Sequence, residues 1–226
     1  MVRHSHVPLR YRAQRTGPFA SSKPSNWAPF DPFSTEVDLA LQQFSKELDD
    51  PRQLTVKQLP CHRDFVMPVT ERDVRRFLMD VPSAFLEGLR GVILLRGSNS
   101  QHKLRFANCS CYGCYCSGTI FLHPFPRQEL RTIHRGLPKP SILQEYTRAG
   151  ARIRWVNGIW ERTFTPQALR TFYLQDVLMH ELGHHVDRHS AERKPIAKQE
   201  LFAEWFAAEY GYRRTRSPSF PEKNAG

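Results

Sequence analysis

From Val37 onward the apolar positions recur every three or four residues, at Val37, Leu41, Phe44 and Leu48, until Asp49-Asp50-Pro51 interrupts them. That is the period of an amphipathic helix, and Thr35 offers it an N-cap. A second helix is predicted from Thr70, where Asp73 three residues on makes a capping-box pattern. Its apolar face is Val74, Phe77, Leu78 and Val81, and Pro82 ends it. The pattern then changes. Gly91 to Leu95 is an unbroken apolar run, which reads as a strand. Two further strands, Lys103 to Cys111 and Cys114 to His123, are predicted around a turn at Tyr112-Gly113. The Pro and Gly content of residues 124–150 argues for loop. Ile153–Val156 and Ile159–Arg162 flank Asn157-Gly158, the pair best suited to a two-residue hairpin turn. That register sets Trp155 opposite Trp160 and Arg154 opposite Glu161. Thr165-Pro166 opens a long helix with proline at its first position, and a last helix is expected from about Ile196 to Tyr212.

These elements place one domain over residues 34–212, between a disordered basic arm (1–33) and a basic tail (213–226). No apolar run approaches the roughly 20 residues of a membrane span, so a soluble protein with no membrane partner is expected. The arm lacks the apolar segment of a secretory signal. A cytoplasmic location follows, with organelle targeting by the arm as the alternative. Charge sharpens the picture. The chain carries a formal +11, and residues 81–160 hold eleven cations against three glutamates. Such a segment suits a solvated surface, an acidic partner or nucleic acid, although no nucleic-acid-binding motif accompanies it.

The chemistry is concentrated in the long helix. His180, Glu181, His184 and Asp187 interrupt an otherwise apolar stretch made by Val177, Leu178, Met179, Leu182 and Val186. His180-Glu181-Leu182-Gly183-His184 is an HExxH pattern. Histidines four apart lie one above the other on a helix, so both imidazoles can reach one ion. The glutamate between them then stands beside the metal, placed to take a proton from water. A catalytic zinc takes three protein ligands. Asp187 and Ser190 occupy the positions where a third histidine motif would need Gly and His, so the third ligand must come from elsewhere. The next helix carries Glu200 and Glu204. A helical hairpin turning between His189 and Pro195 puts His184 and Glu200 equally far from the turn, hence level on antiparallel helices. Glu204, one turn further, could hold the outer nitrogen of a ligand histidine, and Ala197, Ala207 and Ala208 would let the helices approach closely.

With Glu200-Leu201-Phe202-Ala203-Glu204-Trp205-Phe206-Ala207 downstream, the HExxH stretch resembles the zincin metallopeptidases of the glutamate-ligand kind, the gluzincins. The second motif is similar to that of lethal-factor-type metalloproteases. The resemblance covers residues 165–212. It implies an α+β, zincin-like fold, with a small mixed or antiparallel sheet over an active-site helix and a glutamate-bearing C-terminal helix. It also implies a zinc-dependent peptidase acting on a peptide or protein substrate, with His180, His184 and Glu200 as zinc ligands, Glu181 as general base and Glu204 supporting the ligands. By the same resemblance, an edge strand within Gly118–His123 would align the substrate, with the 153–162 hairpin as a lid. Two departures stand out: only fifteen residues separate His184 from Glu200, and no residue is assigned to stabilise an oxyanion.

Cys109, Cys111, Cys114 and Cys116 form a separate cluster. If Tyr112-Gly113 is a hairpin turn, Cys111 pairs with Cys114 and Cys109 with Cys116, all on one face. Four thiolates there could hold a second, structural Zn²⁺; disulfides and free thiols are the other readings. Cys61 is expected in the core. The competing functional class is therefore a basic, cysteine-clustered binding module for nucleic acid or an acidic partner, with a degenerate or structural metal site.

Overall fold

The computed structural model describes residues 32–50, 53–97, 112–134, 140–188 and 195–213. The expected strand from Lys103 to Cys111 lies outside them, as do Cys109 and Cys111, the segment before Pro32, and the turn between the last two helices. The first helix, α1 (Pro32–Gln43), continues after a break into the single turn α2 (Ser45–Leu48). It begins at Pro32 rather than after Thr35, because Pro fits the first helical position, where no backbone N–H is needed. Glu36 ties it to the sheet: its buried carboxylate accepts the Arg96 and Gly97 N–H groups at 2.8 and 3.0 Å.

The sheet has four strands in the order β1 (Thr55–Gln58), β3 (Gly91–Leu94), β5 (Thr119–Leu122), β4 (Gly113–Cys116). The first three are parallel and β4 is antiparallel to β5, so the sheet is mixed. Every residue of β3 and β5 is buried. That explains the unbroken apolar run at β3: helices cover both faces, so no alternation is needed. On one face Ile93, Leu95, Phe121 and Cys116 pack against Val37, Ala40, Phe44 and Leu48 of α1 and α2. On the other, Val92, Leu94, Ile120 and Leu122 join Val177, Leu178 and Leu182 from the C-terminal helices.

The helix α3 (Glu71–Met79) carries the expected capping box, in which Thr70 and Asp73 satisfy each other's backbone N–H. It also closes the β1 edge without adding a strand. Arg75 donates to the Leu54 and Val56 carbonyls at 3.2 and 3.0 Å, and Glu71 accepts the Gln58 N–H at 2.8 Å. Backbone groups that would recruit a neighbouring strand are thereby occupied.

Two expectations are corrected here. Cys114 to His123 is not one strand but the β4–β5 hairpin, turned at Ser117-Gly118, both at positive φ (50° and 78°). Such a turn matches the twist of the flanking strands. Tyr112-Gly113 is accordingly not a turn: Gly113 opens β4, and Tyr112 O accepts from His123 N at 2.9 Å. The stretch read as loop from 124 to 150 contains β6 (Phe125–Pro126), paired with β2 (Phe65–Val66), then β7 (Arg131–His134) and helix α4 (Pro140–Arg148). Tyr146 anchors α4 by packing edge-on to Phe164 and Phe172. Burying that ring outweighs the local Pro and Gly signals.

The 153–162 hairpin forms as expected, from β8 (Arg152–Val156) and β9 (Ile159–Thr163), with Asn157 at φ 49° and Gly158 at φ 82°. Trp155 faces Trp160 and Arg154 faces Glu161 across it. Together with β7 it makes a second sheet in the order β7-β9-β8.

Candidate metal centre

Thr165 caps the long C-terminal helix by accepting from Ala168 N at 3.1 Å, with Pro166 next. The helix runs as α5 (Pro166–Thr171), a π-helical stretch (Phe172–Leu178) and α6 (Met179–Arg188). After the turn comes α7 (Ile196–Phe206), followed by a second π-helical stretch (Ala207–Arg213). The two π-helical stretches pack on one another where Gly211 meets Gln175: a Cβ at Gly211 would lie 2.2 Å from the Gln175 carbonyl oxygen. Such irregular turns are frequent at functional sites.

Helices α6 and α7 are in tight contact at Gly183. A Cβ there would stand 2.9 Å from Ala203 Cα and 3.1 Å from Phe206 Cβ. Ala203 and Ala207 are buried at the contact, whereas Ala197, expected there, is exposed. This crossing brings Glu200 to the two histidines. His180 Nε2 and His184 Nε2 are 3.1 Å apart; Glu200 Oε2 is 3.6 Å from the first and Oε1 3.3 Å from the second. The three groups form a cluster able to hold a metal ion, with ligand atoms all within 4.8 Å of one another.

The fit to an ion is good. In a tetrahedral zinc site with bonds of 2.0–2.1 Å, neighbouring donors stand about 3.3 Å apart. The observed separations straddle that value. Glu200 Oε1 is buried and has no hydrogen bond, although it faces His184. A buried carboxylate oxygen of that kind is costly unless something cationic meets it. Burial pushes the Glu200 carboxyl up, but the neighbouring rings of His180 and His184 outweigh it and hold the group at about 2. The site is thus an anionic oxygen and two imidazoles converging in a largely buried place, a donor set suited to a borderline-soft divalent ion.

Glu181 is buried beside this cluster, on the side of the sheet edge. Its neighbour is Gly113 of β4: a Cβ at Gly113 would lie 2.8 Å from Glu181 Cγ and 2.9 Å from its Oε1. Glycine at 113 therefore leaves the glutamate its room. Glu204 lies one turn beyond Glu200 on an exposed part of α7.

Among the described residues β4 is the outer strand on this side of the sheet, and β5 is paired on both sides. The edge expected within Gly118–His123 is thus corrected: β5 is an interior strand, because strand order depends on pairings remote in sequence. Two residues that sequence reasoning passed over hold β4 on α6. Tyr115 OH meets His185 Nδ1 at 3.0 Å, and His185 Nε2 meets the Glu87 carbonyl at 2.9 Å. The carbonyl can only accept, so His185 carries a proton on Nε2, and in the neutral ring Tyr115 donates to Nδ1. His185 is 1% exposed, a buried histidine with both nitrogens engaged, next to a ligand candidate but turned away from it. The doubled histidine at 184–185 was the one local signal for it.

Alternation along β4 separates the cysteines from this site. Gly113 and Tyr115 face α6, while Cys114 and Cys116 belong to the cluster with α1 on the opposite face. The expected pairing of Cys111 with Cys114 and of Cys109 with Cys116 lies outside the described residues; toward β5, Cys114 pairs with Phe121 and Cys116 with Thr119. The Cys114 sulfur lies 3.9 Å from His123 Nε2. Cys61 is half-buried rather than a core residue.

No helix among the described residues is long and apolar enough to cross a membrane. Comparison with protein-family models, curated proteins and solved structures finds no match to this chain, so the reading of the site rests on its own residues.

Proposed function

We propose that this protein is a zinc-dependent peptidase of zincin type, with His180, His184 and Glu200 as ligands and Glu181 as general base. The observation that carries the proposal is the convergence of the three donors at tetrahedral spacing, with the buried Glu181 next in the helix and lying against Gly113 of β4. Zinc in such a donor set supplies Lewis-acid polarisation of a carbonyl and acidifies water. The chain does the rest. Glu181, beside Gly113, takes a proton from the attacking water and delivers it to the leaving amine. An extended substrate lies against β4 and passes Glu181 at Gly113. Tyr115 and His185 fix the height of that strand above α6. Glu204 supports the ligand set from the next turn of α7.

The test is metal analysis of purified protein combined with cleavage of a proteome-derived peptide library. One zinc equivalent and library cleavage are expected in the wild type. Glu181→Gln should retain the zinc and lose 10²–10⁴-fold of turnover or more, on the order of a lost acid–base group. Cleavage persisting in a zinc-loaded Glu181→Gln protein would remove the glutamate from the role. Zinc without cleavage of any peptide by the wild type would leave a binding site and overturn the peptidase.

A further inference from the structure

The second sheet has a feature the metal centre does not use. Strand β8 pairs with β9 on one side, and among the described residues nothing pairs with its other side. Arg152, Arg154, Trp155 and Val156 are all exposed, Trp155 by 55%. Arg152 and Arg154 are two apart and so share a face, on which their side chains make no ion pair among the described residues. Glu161, opposite Arg154 in the register, is engaged by Arg131 of β7. Ile133, 62% exposed, lies on the same face as these arginines. Trp155 projects to the opposite face, beside its partner Trp160 at 5.1 Å between ring centroids.

We propose that the outer edge of β8 is a docking site for an extended acidic peptide segment, which adds to the β7-β9-β8 sheet as a further strand. Prolines and bulges blunt edges meant to stay unpaired, whereas charge set there repels like strands and selects a partner of opposite sign. Here the ladder with β9 is unbroken over five residue pairs, β8 has no proline, and large apolar side chains flank the charges. Period-2 alternation defines the ligand: acidic side chains on the face of Arg152 and Arg154, apolar ones on the face of Trp155. Single-stranded nucleic acid fits less well. It needs aromatic stacking surfaces beside its phosphate contacts, and the tryptophans stand on the face away from the two unpaired arginines. The inference does not rest on the metal centre.

The experiment is fluorescence anisotropy with a labelled, end-blocked hexapeptide alternating glutamate and valine, titrated with full-length Glu181→Gln protein so that hydrolysis cannot intervene. Saturable binding is expected. Arg152→Glu/Arg154→Glu should weaken it on the order of tenfold, since two exposed ion pairs are lost and reversed. Alternate N-methylation of the peptide, which removes main-chain donors and keeps the charge, should abolish it. Zinc content and cooperative thermal unfolding should be retained, which separates the variant from a misfolded one, with the midpoint lowered slightly because Arg154→Glu sets a like charge opposite Glu161. The proposal is overturned if the peptide does not bind, if the double variant binds it equally, or if the N-methylated peptide binds as well as the parent. It is equally overturned if oligothymidine binds more tightly and responds to the same variant, which would make the face a nucleic-acid surface.

Discussion

Gly183 lies so close to Ala203 that a Cβ at position 183 would stand 2.9 Å from the Ala203 Cα. The glycine within the HExxH motif thus sets the distance at which Glu200 reaches the histidines on the other helix. Backbone, not a flexible side-chain end, occupies the space. Gly183→Val should therefore force α7 outward, at about 1–3 kcal/mol of overpacking against only a few tenths gained in helix propensity. Urea unfolding reads the first effect. The second is zinc affinity, expected to fall at least about tenfold by chelator competition as Glu200 leaves its place. A variant of wild-type affinity would show that the helix crossing does not control the site.

Glu200 and Glu204 differ in consequence although they sit one turn apart. Glu200 is the residue whose oxygens stand 3.3 and 3.6 Å from the histidine nitrogens. Glu200→Gln replaces an anionic donor and should abolish zinc binding at this site. Glu204 is exposed, so water screens it, and Glu204→Gln should weaken binding only about tenfold, the lower end for a residue that supports a ligand. Isothermal titration with zinc compares the two. The reverse order would move the ligand role one turn along α7.

Asp176 gives the fold a definite pH dependence. Burial raises its carboxyl to about 6, against the opposing pull of Arg148 and Tyr212, both of which contact it. At Arg148 burial is likewise the largest influence, but there the Asp176 charge prevails and the guanidinium is held more strongly protonated. At Asp176 burial prevails, because its side chain is 2% exposed and that of Arg148 is 27%. A carboxyl raised above its unfolded value favours the folded state when protonated. Its contribution is full below about pH 4 and is lost as pH rises through 6. Relative to Asp176→Asn, the wild type should lose roughly 2–3 kcal/mol between pH 4 and 7, the size of a two-unit shift. Denaturant unfolding of both proteins across that range measures it, and a pH-independent difference would show an unshifted carboxyl.

The parts of this molecule legible in its sequence are those fixed by contacts a few residues apart. The Thr70–Asp73 capping box, the Asn157-Gly158 hairpin with its register, and the His180–His184 face need only local geometry. Glu200 was legible as well, because a short helical hairpin turns a sequence distance into a height along two antiparallel rods. The remainder depended on remote partners. That β5 is interior is decided by its pairing with β3, which lies some twenty-five residues earlier. The Ser117-Gly118 turn was hidden inside a run of strand-forming residues. Gly113 resembled a turn glycine, and its actual reason is the Glu181 side chain 68 residues downstream. Helix α4 stood behind Pro and Gly, and only the pocket waiting for Tyr146 reveals it.

Tyr115 should behave as a positioning residue for β4. Tyr115→Phe keeps the ring, which packs edge-on to His185 at 5.4 Å, and deletes the hydroxyl that donates to Nδ1. A buried ring nitrogen is left unsatisfied, a loss of about 1–3 kcal/mol in stability. Zinc content should not change. If β4 aligns the substrate, KM should rise more than kcat falls, because strand alignment governs binding before the proton transfer at Glu181. An unchanged KM alongside reduced zinc content would place the residue in support of the ligands instead.

The cysteines of β4 should be separable from the metal centre because the sheet stands between them. Cys114 and Cys116 pack with Phe121 and the α1–α2 side chains, on the face opposite to Gly113 and Tyr115. Three ligands also leave a catalytic zinc one open position, which a thiolate would close. Replacing both by alanine removes two sulfurs from a packed layer, so a stability loss of about 1–3 kcal/mol is expected, within the range for ordinary core truncations. The zinc at His180 and His184 should remain. Native mass spectrometry of wild type, the double variant and Glu200→Gln assigns each equivalent to its ligands. Loss of one equivalent with the cysteines, alongside a second that depends on Glu200, would identify a separate thiolate site on the α1 face. A single zinc that vanishes with the cysteines and survives Glu200→Gln would transfer the metal to the thiols and end the reading of the helix pair as the reactive centre.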